Sequence, residues 1–109
     1  MKTNINKVEL AGYAGRDISV RTFKNGNKMA CFSLGTHQSY KNGQGEWVNT
    51  TTWHRIVLWN EQADRAEKAI KKGLPVVVTG RLNYRYYETQ GGEKKFCAEI
   101  IASHLDLAA

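Results

Sequence analysis

Residues 52–59 carry the side chains in this sequence that are best suited to chemistry. If they form a strand, alternation places Trp53, Arg55, Val57 and Trp59 on one face and Thr52, His54, Ile56 and Leu58 on the other. A half-buried strand needs only one apolar face, so two indoles around a guanidinium indicate a second surface that this strand contacts. The alternative is that the tryptophans are core residues and that the aliphatic face meets another layer.

A second group of aromatic and basic side chains lies nearer the C-terminus. Tyr84, Tyr86 and Tyr87 alternate with Arg85 and follow Arg81. Flat rings can stack on exposed bases, and cations beside them can neutralise phosphates. Every base has a π-face, so this combination predicts sequence-tolerant binding of single-stranded nucleic acid. The formal net charge of +6 and the pI near 9.5 also favour a polyanionic partner.

The sequence lacks the residue patterns of other kinds of site. His37, His54 and His104 have no metal-ligand spacing, and Cys31 and Cys97 stand apart with no base nearby in the sequence. We therefore predict no enzymatic activity, no metal or other cofactor and no small-molecule substrate. Isolated cysteines, a polar N-terminus and the lack of a long apolar run predict a cytoplasmic protein with no membrane partner.

The elements that must position these side chains are mostly strands. The chain of 109 residues is predicted to form one domain, residues 1–109. Alternation predicts a first strand over 8–23 that bends at Gly12 and Gly15, a tight turn at Asn25-Gly26, and strands over 28–35 and 50–59. Residues 40–49 have no apolar repeat and are predicted to form a surface loop.

One short helix is predicted after the third strand. Asn60 is its predicted N-cap, Glu61 and Asp64 lie in its first turn, and Gly73 is its left-handed stop. Two more strands, over 74–88 and 94–103, complete the pattern. The predicted fold class is all-β, a five-stranded Greek-key barrel of the oligonucleotide-binding type (OB-fold) with the helix between strands 3 and 4.

These residues together resemble the bacterial single-stranded DNA-binding protein (SSB) family. The opening motif of the family is similar to Asn6, Leu10, Gly12, Gly15 and Asp17, and its central signature is similar to residues 52–55. The likeness extends through the Asn25-Gly26 turn, Lys72-Gly73 and residues 80–82, and covers about residues 4–103. It implies an OB-fold, a homotetramer, and single-stranded DNA wrapped over the subunits in replication, recombination and repair on nucleoid DNA. An RNA-binding or protein-interaction accessory subunit of a replication complex is the alternative.

The resemblance also implies residue roles. Base stacking falls on Tyr40, Trp53, Trp59 and Tyr87, where the family typically has Trp, Trp, Phe and Trp; Tyr40 could instead anchor its loop. The subunit interface falls on the edge of the first strand, at Lys7, Val8 and Leu10, and on His54, which could otherwise be an ordinary packed histidine. Independently of the family, the basic strand and loop residues predicted to contact phosphates are Lys24, Lys28, Lys41, Arg55, Arg81, Arg85, Lys94 and Lys95.

The C-terminus departs from the family pattern. Family members usually continue into a flexible linker and an acidic tip that recruits partner proteins, whereas this sequence stops at residues 105–109 with no acidic tail. The sequence is therefore expected to be either a naturally short version or a shortened one.

Overall fold

The computed structural model describes residues 4–15 and 18–107. Asp17, part of the opening motif, lies outside those residues. Six strands and one helix follow one another along the chain: β1 (Val8–Ala14), β2 (Ser19–Thr22), β3 (Lys28–Lys41), β4 (Trp47–Trp59), α1 (Glu61–Ala69), β5 (Pro75–Glu88) and β6 (Lys94–Leu107).

The strands form one closed barrel. Their order is β1-β5-β6-β4-β3-β2, and an additional pairing of β1 with β3 closes the ring. The pairing of β4 with β6 is parallel, and the other pairings are antiparallel. β1 and β2 are the two halves of the bent first strand, because β1 pairs mainly with β5 and β2 pairs with β3. The predicted five-stranded OB-fold barrel, with its helix between the third and fourth long strands, is confirmed.

Glycines allow the strands to approach closely where the barrel closes and bends. A Cβ atom on Gly12 would overlap the carbonyl oxygen of Gly35, so β1 could not reach β3 with any larger residue there. A Cβ on Gly80 would overlap the carbonyl oxygen of Ile101, at the point where the β5–β6 register shifts. Beside the first of these crossings, the Gly15 N–H donates a 2.7 Å hydrogen bond to the Ser33 carbonyl.

The barrel interior is filled by one side of each strand. Leu34 of β3, and Ile56 and Leu58 of β4, are fully buried, as are Val76 and Val78 of β5. Helix α1 covers one end of this core with its buried residues Ala63 and Ala66, followed by Ile70. The alternation that assigned Ile56 and Leu58 to the core is therefore confirmed.

The helix begins directly after Asn60, as predicted, but the Asn60 side chain does not cap it. Asn60 has a positive φ of 52° and makes no side-chain cap. Its Oδ1 instead accepts a 3.0 Å hydrogen bond from the Lys28 N–H, and its own N–H donates to the Lys28 carbonyl at 2.8 Å. Asn60 thus joins the helix to β3. The predicted helix stop at Gly73 is wrong, because the helix ends at Ala69 and its C-cap, Ile70, is extended. Gly73 lies beyond that cap; it has a left-handed conformation, with φ of 88°, and its N–H donates to the Ala14 carbonyl of β1.

The loop predicted over residues 40–49 is wrong, because β3 and β4 continue as a hairpin. Lys41 pairs with Trp47 across a turn in which the Asn42 side chain accepts hydrogen bonds from the N–H groups of Gln44 and Glu46. This part of the hairpin projects from the barrel with no buried side chain on either face. Apolar periodicity reports burial, so it cannot detect strands that both face solvent.

A second hairpin also projects from the barrel, and its residue Glu99 is buried at the base. We call residues 36–52 the β3–β4 arm and residues 83–99 the β5–β6 arm. The Cα radius of gyration is 16.3 Å, against about 13 Å for a compact chain of this length. β6 also runs past the predicted end at Ser103 to Leu107. Over the described residues, no helix has the length and apolar character that a membrane crossing requires.

We expect the substitution Leu58→Ala to lower the free energy of unfolding by roughly 2–5 kcal/mol, because it removes a fully buried aliphatic and leaves a cavity. Thr52→Ala is the matched control, since Thr52 shares the strand and its side-chain parity but is exposed beyond the barrel. It should change stability by no more than about 0.5 kcal/mol. Urea unfolding measures both, and equal losses would contradict the assignment of the core.

Candidate functional site

The side of β3 and β4 that points away from the core carries exposed tryptophans. We call the surface of their odd-numbered residues the outer face. On β4, the side chain of Trp53 is 60% exposed and that of Trp59 is 38% exposed, with Arg55 between them. No odd-numbered residue of either strand is acidic. The outer face therefore combines accessible rings with positive charge and has no carboxylate of its own strands to repel an anion.

Trp53 lies over backbone rather than over other side chains. A Cβ atom on Gly35, its cross-strand neighbour, would come within 2.8 Å of the indole Cζ3, and one on Gly15 would come closer still. Only glycine at both positions leaves room for the ring. The indole is thus supported on one side by two glycines of β3 and the β1 terminus, while most of its surface remains in solvent.

Trp59 belongs to a small stack of rings. Its indole lies 5.9 Å from the Phe23 ring, with an interplanar angle of 25°. The Arg21 guanidinium lies over the Phe23 ring, 5.3 Å from its centroid. Sequence reasoning missed both partners. The register of the Asn25-Gly26 hairpin was the available signal for Arg21, because Arg21 pairs with Met29, which pairs with Trp59.

Arg55 is held by a buried carboxylate that sequence reasoning also missed. Its Nε lies 3.4 Å from Glu99 Oε2, and Asn83 Nδ2 donates to Glu99 Oε1 at 3.1 Å. Glu99 is only 6% exposed, so the ion pair and the amide together satisfy a carboxylate that would otherwise be costly to bury. The three side chains extend the outer face across β6 to β5.

The β5–β6 arm continues this face with its own odd-numbered residues. Asn83 pairs with Glu99 and Arg85 with Cys97, and alternation puts Arg81, Tyr87 and Lys95 on the same side. Tyr40 and Lys94 have even parity and lie on the opposite sides of their arms. Strand parity therefore puts Trp53, Trp59 and Tyr87 on the outer side of their strands and Tyr40 on the other side of its arm.

Two of the predicted phosphate contacts lie elsewhere. Lys24 is in the turn between β2 and β3. Lys28 forms ion pairs with Asp64, at 2.6 Å, and with Glu67 of the helix. Hydrogen bonds to both carboxylates raise the pKa of Lys28, and the ammonium lowers the pKa of the Asp64 carboxyl. Its charge is therefore neutralised by α1 within the chain.

The predicted interface residues of β1 have side chains that pack inward or are exposed, and a backbone edge that is partly unpaired. Val8 and Leu10 pack against the core, whereas Lys7 is exposed and pairs with Glu9 at 3.2 Å. Residues 8–12 of β1 pair with β5 along one edge, and no strand within the described chain pairs with their other edge. His54 is half-buried and hydrogen-bonds through Nε2 to Thr36 Oγ1 at 2.9 Å.

The exposed side chain of Trp47 escaped sequence analysis as a member of the site. Trp47 is 67% exposed, and its spacing of six residues from Trp53 was a signal that both lie on one face. On the even side of the β5–β6 arm, the rings of Tyr84 and Tyr86 lie 5.7 and 6.0 Å from that of Phe96. Among residues 4–15 and 18–107, no three histidine, cysteine or acidic side chains come together as metal ligands.

Comparison with known proteins identifies the relatives of this chain. Residues 5–108 match the family model of the single-strand binding protein family. A protein of Chlorobaculum tepidum named single-stranded DNA-binding protein 1 is 34% identical over 108 residues, which cover 98% of this chain and 67% of that protein. The structure of a Plasmodium falciparum SSB complex with ssDNA superposes with a TM-score of 0.89 at 31% identity, covering 100% of this chain and 99% of that one.

We expect Gly35→Ala to displace the Trp53 indole, because the new methyl group would occupy part of its position. In a background with Trp47→Phe and Trp59→Phe, Trp53 is the single indole of the three in the chain. Its emission should shift to the red and become easier to quench with acrylamide. Gly43→Ala is the control, since nothing lies within 4 Å of its Cβ position. Unchanged emission in Gly35→Ala would contradict the glycine support.

Proposed function

Because the chain belongs to the single-strand binding protein family, it binds single-stranded DNA, and we propose that it does so by stacking bases on the outer face. The observation that carries this mechanism is the pair of exposed indoles, Trp53 and Trp59, on one side of β4 with Arg55 between them. Both rings are already supported from beneath, so little ordering entropy opposes stacking.

We assign the stacking positions by their place on the surface. Trp53, Trp59 and Tyr87 share the outer face, and they supply bases with flat apolar partners. Tyr40 lies on the other side of its arm, so we propose that a base reaches it only where the strand passes around that arm. Stacking reads no base edges, and the binding is therefore tolerant of sequence.

Phosphate neutralisation accompanies stacking. Among the predicted phosphate contacts, those that share the outer face, or lie in turns beside it, and that carry no helix ion pair are Lys24, Lys41, Arg55, Arg81, Arg85 and Lys95. Glu99 accepts a hydrogen bond from the Nε of Arg55. In our proposal the remaining guanidinium N–H groups donate hydrogen bonds to the phosphate. Lys94 would act from the opposite side of the arm, and Lys28 serves the fold rather than the ligand.

We propose a binding role without catalysis, in DNA replication, recombination and repair, on nucleoid DNA in the cytoplasm. The DNA-binding character of the family supports this assignment. An RNA-binding module is the second candidate, because stacking alone does not distinguish ribose from deoxyribose.

We also propose that the protein assembles as a homotetramer. The unpaired backbone edge of residues 8–12 offers hydrogen-bonding groups to the same edge of a second copy across a two-fold axis. The exposed side chains Lys7, Glu9 and Ala11 would flank that contact, while Val8 and Leu10 support it from the core. His54 and its partner Thr36 lie at the rim of the barrel, where a further contact between pairs could form.

Trp53→Ala and Trp59→Ala should each weaken binding of oligo-dT by roughly 1–3 kcal/mol, because each removes one stacking ring. Neither should unfold the barrel, since neither ring belongs to the buried core. Affinity is measured by fluorescence anisotropy of a labelled oligonucleotide, and stability by melting temperature. The slope of log K against log salt should lie near −3, for about four phosphates on a single strand.

Competition with matched RNA and duplex DNA decides between the two candidate functions. Tighter binding of RNA would favour the second candidate, and equal affinity for duplex would contradict stacking. If the tryptophan variants melt early and bind normally once folded, the indoles are structural and the mechanism is wrong.

Light scattering at micromolar concentration should report a mass four times 12.3 kDa, because the edge of β1 and a second contact both pair identical surfaces. A dimer mass would retain the edge pairing and contradict the second contact. The mass of a single chain would contradict both.

A further inference from the structure

We propose that Trp47, with Lys41 beside it at the tip of the β3–β4 arm, is a further stacking position that extends the DNA track beyond the barrel. The inference rests on the proposed function, because it lengthens the same face. It also concerns residues that lie in a hairpin where alternation had indicated only a loop. Its ligand is single-stranded DNA already bound at Trp53.

The position of Trp47 follows from the register of the arm. Trp47, Trp53 and Trp59 are spaced six residues apart on β4, so all three side chains leave the same side of the strand. At ~3.3 Å per residue, neighbouring indoles are about 20 Å apart along the strand. Stacked nucleotides rise about 3.4 Å each, so a strand of roughly six nucleotides would connect one indole to the next.

The surface between Trp53 and Trp47 suits a polyanion that passes over it. Its side chains are polar and pair across the two strands: His37 Nδ1 hydrogen-bonds Thr51 Oγ1 at 2.9 Å, and Ser39 Oγ donates to Asn49 Oδ1 at 2.6 Å. These pairs connect β3 to β4 along the arm. Because the odd-numbered residues of β3 and β4 include no carboxylate, the phosphate backbone meets no like charge from these two strands.

The chemistry at the tip combines stacking with charge. The Lys41 Nζ lies 5.4 Å from the centroid of the Trp47 ring, a cation–π distance. That contact holds the ammonium beside the ring, where a phosphate would follow a stacked base. The indole is 67% exposed, so it retains open surface for the base.

DNA is the occupant that the structure favours over a second copy of the chain. The tip is continuous with the outer face and shares its parity with the two barrel tryptophans, whereas the unpaired backbone edge belongs to β1. A protein contact at Trp47 would instead make the mass of the assembly depend on this side chain, which light scattering on the Trp47→Ala variant detects.

The first experiment uses the length dependence of binding. With oligo-dT of about thirty nucleotides, Trp47→Ala should bind 5- to 150-fold more weakly than the unmodified protein. With oligo-dT of about four nucleotides, too short to join two indoles, it should bind normally at Trp53. Trp47→Phe should retain most of the affinity for the long strand. Gln44→Ala, in the turn of the same arm, is the matched control and should bind both normally.

The second experiment observes Trp47 directly. In the double variant Trp53→Phe and Trp59→Phe, Trp47 is the remaining indole, and the phenyl rings retain stacking at the barrel. Saturation with long oligo-dT should quench its emission, whereas the four-nucleotide strand should quench it much less. Lys41→Met should reduce the magnitude of the salt slope by about 0.7, for one phosphate on a single strand.

The outcomes separate this inference from the function on which it rests. If Trp53→Ala weakens binding and Trp47→Ala does not, with no quenching of Trp47, the track ends at the barrel and the inference is overturned while the function stands. If Trp47→Ala changes the mass of the assembly and leaves DNA affinity unchanged, the tip is a protein contact, which also overturns it. If neither variant affects binding, the stacking mechanism itself fails.

Discussion

The close approach of β1 to β3 is the constraint on which the rest of this structure depends. At this crossing Gly12 meets the Gly35 carbonyl, and no side chain can stand between the two strands. The approach closes the barrel and so encloses the core. The same glycine, Gly35, leaves its other side open, and the Trp53 indole occupies that space. The missing side chain of Gly12 therefore permits the close approach that closes the barrel, and the missing side chain of Gly35 permits the support of the central ring outside it.

The two sides of β4 illustrate how the chain separates stability from ligand contact. Ile56 and Leu58 are removed from water by the barrel and the helix, which supplies the hydrophobic contribution to folding. Trp53 and Trp59 stand on the other side and remain accessible. Strand alternation makes this division possible, with the exception of Val57, which has the parity of the tryptophans and is only 2% exposed. The exposed rings can therefore change without loss of the core.

The cations Lys28 and Arg55 likewise serve different purposes, one in the fold and one at the outer face. Lys28 forms ion pairs with Asp64 and Glu67 that join β3 to α1. The Asn60 side chain strengthens this junction by accepting a hydrogen bond from the Lys28 N–H. Arg55 also has a carboxylate partner, Glu99, yet that partner is buried beneath the outer face and engages only one edge of the guanidinium. The ion pairs of Lys28 thus stabilise the fold, whereas the ion pair of Arg55 orients its guanidinium toward the solvent.

Local sequence determined much of this molecule because its strong signals are local. The alternation of residues 52–59 and the Asn25-Gly26 turn predicted the central strand, the hairpin and the OB-fold barrel. The aromatic and basic composition predicted the ligand class. Tertiary structure alone decided what depends on neighbours distant in the chain. It extended the arms through residues that no core buries, enclosed Glu99 between Arg55 and Asn83, and paired Lys28 with the helix. Apolar periodicity records only whether a side chain leaves water, so it carries no information about which distant charge or ring that side chain will meet.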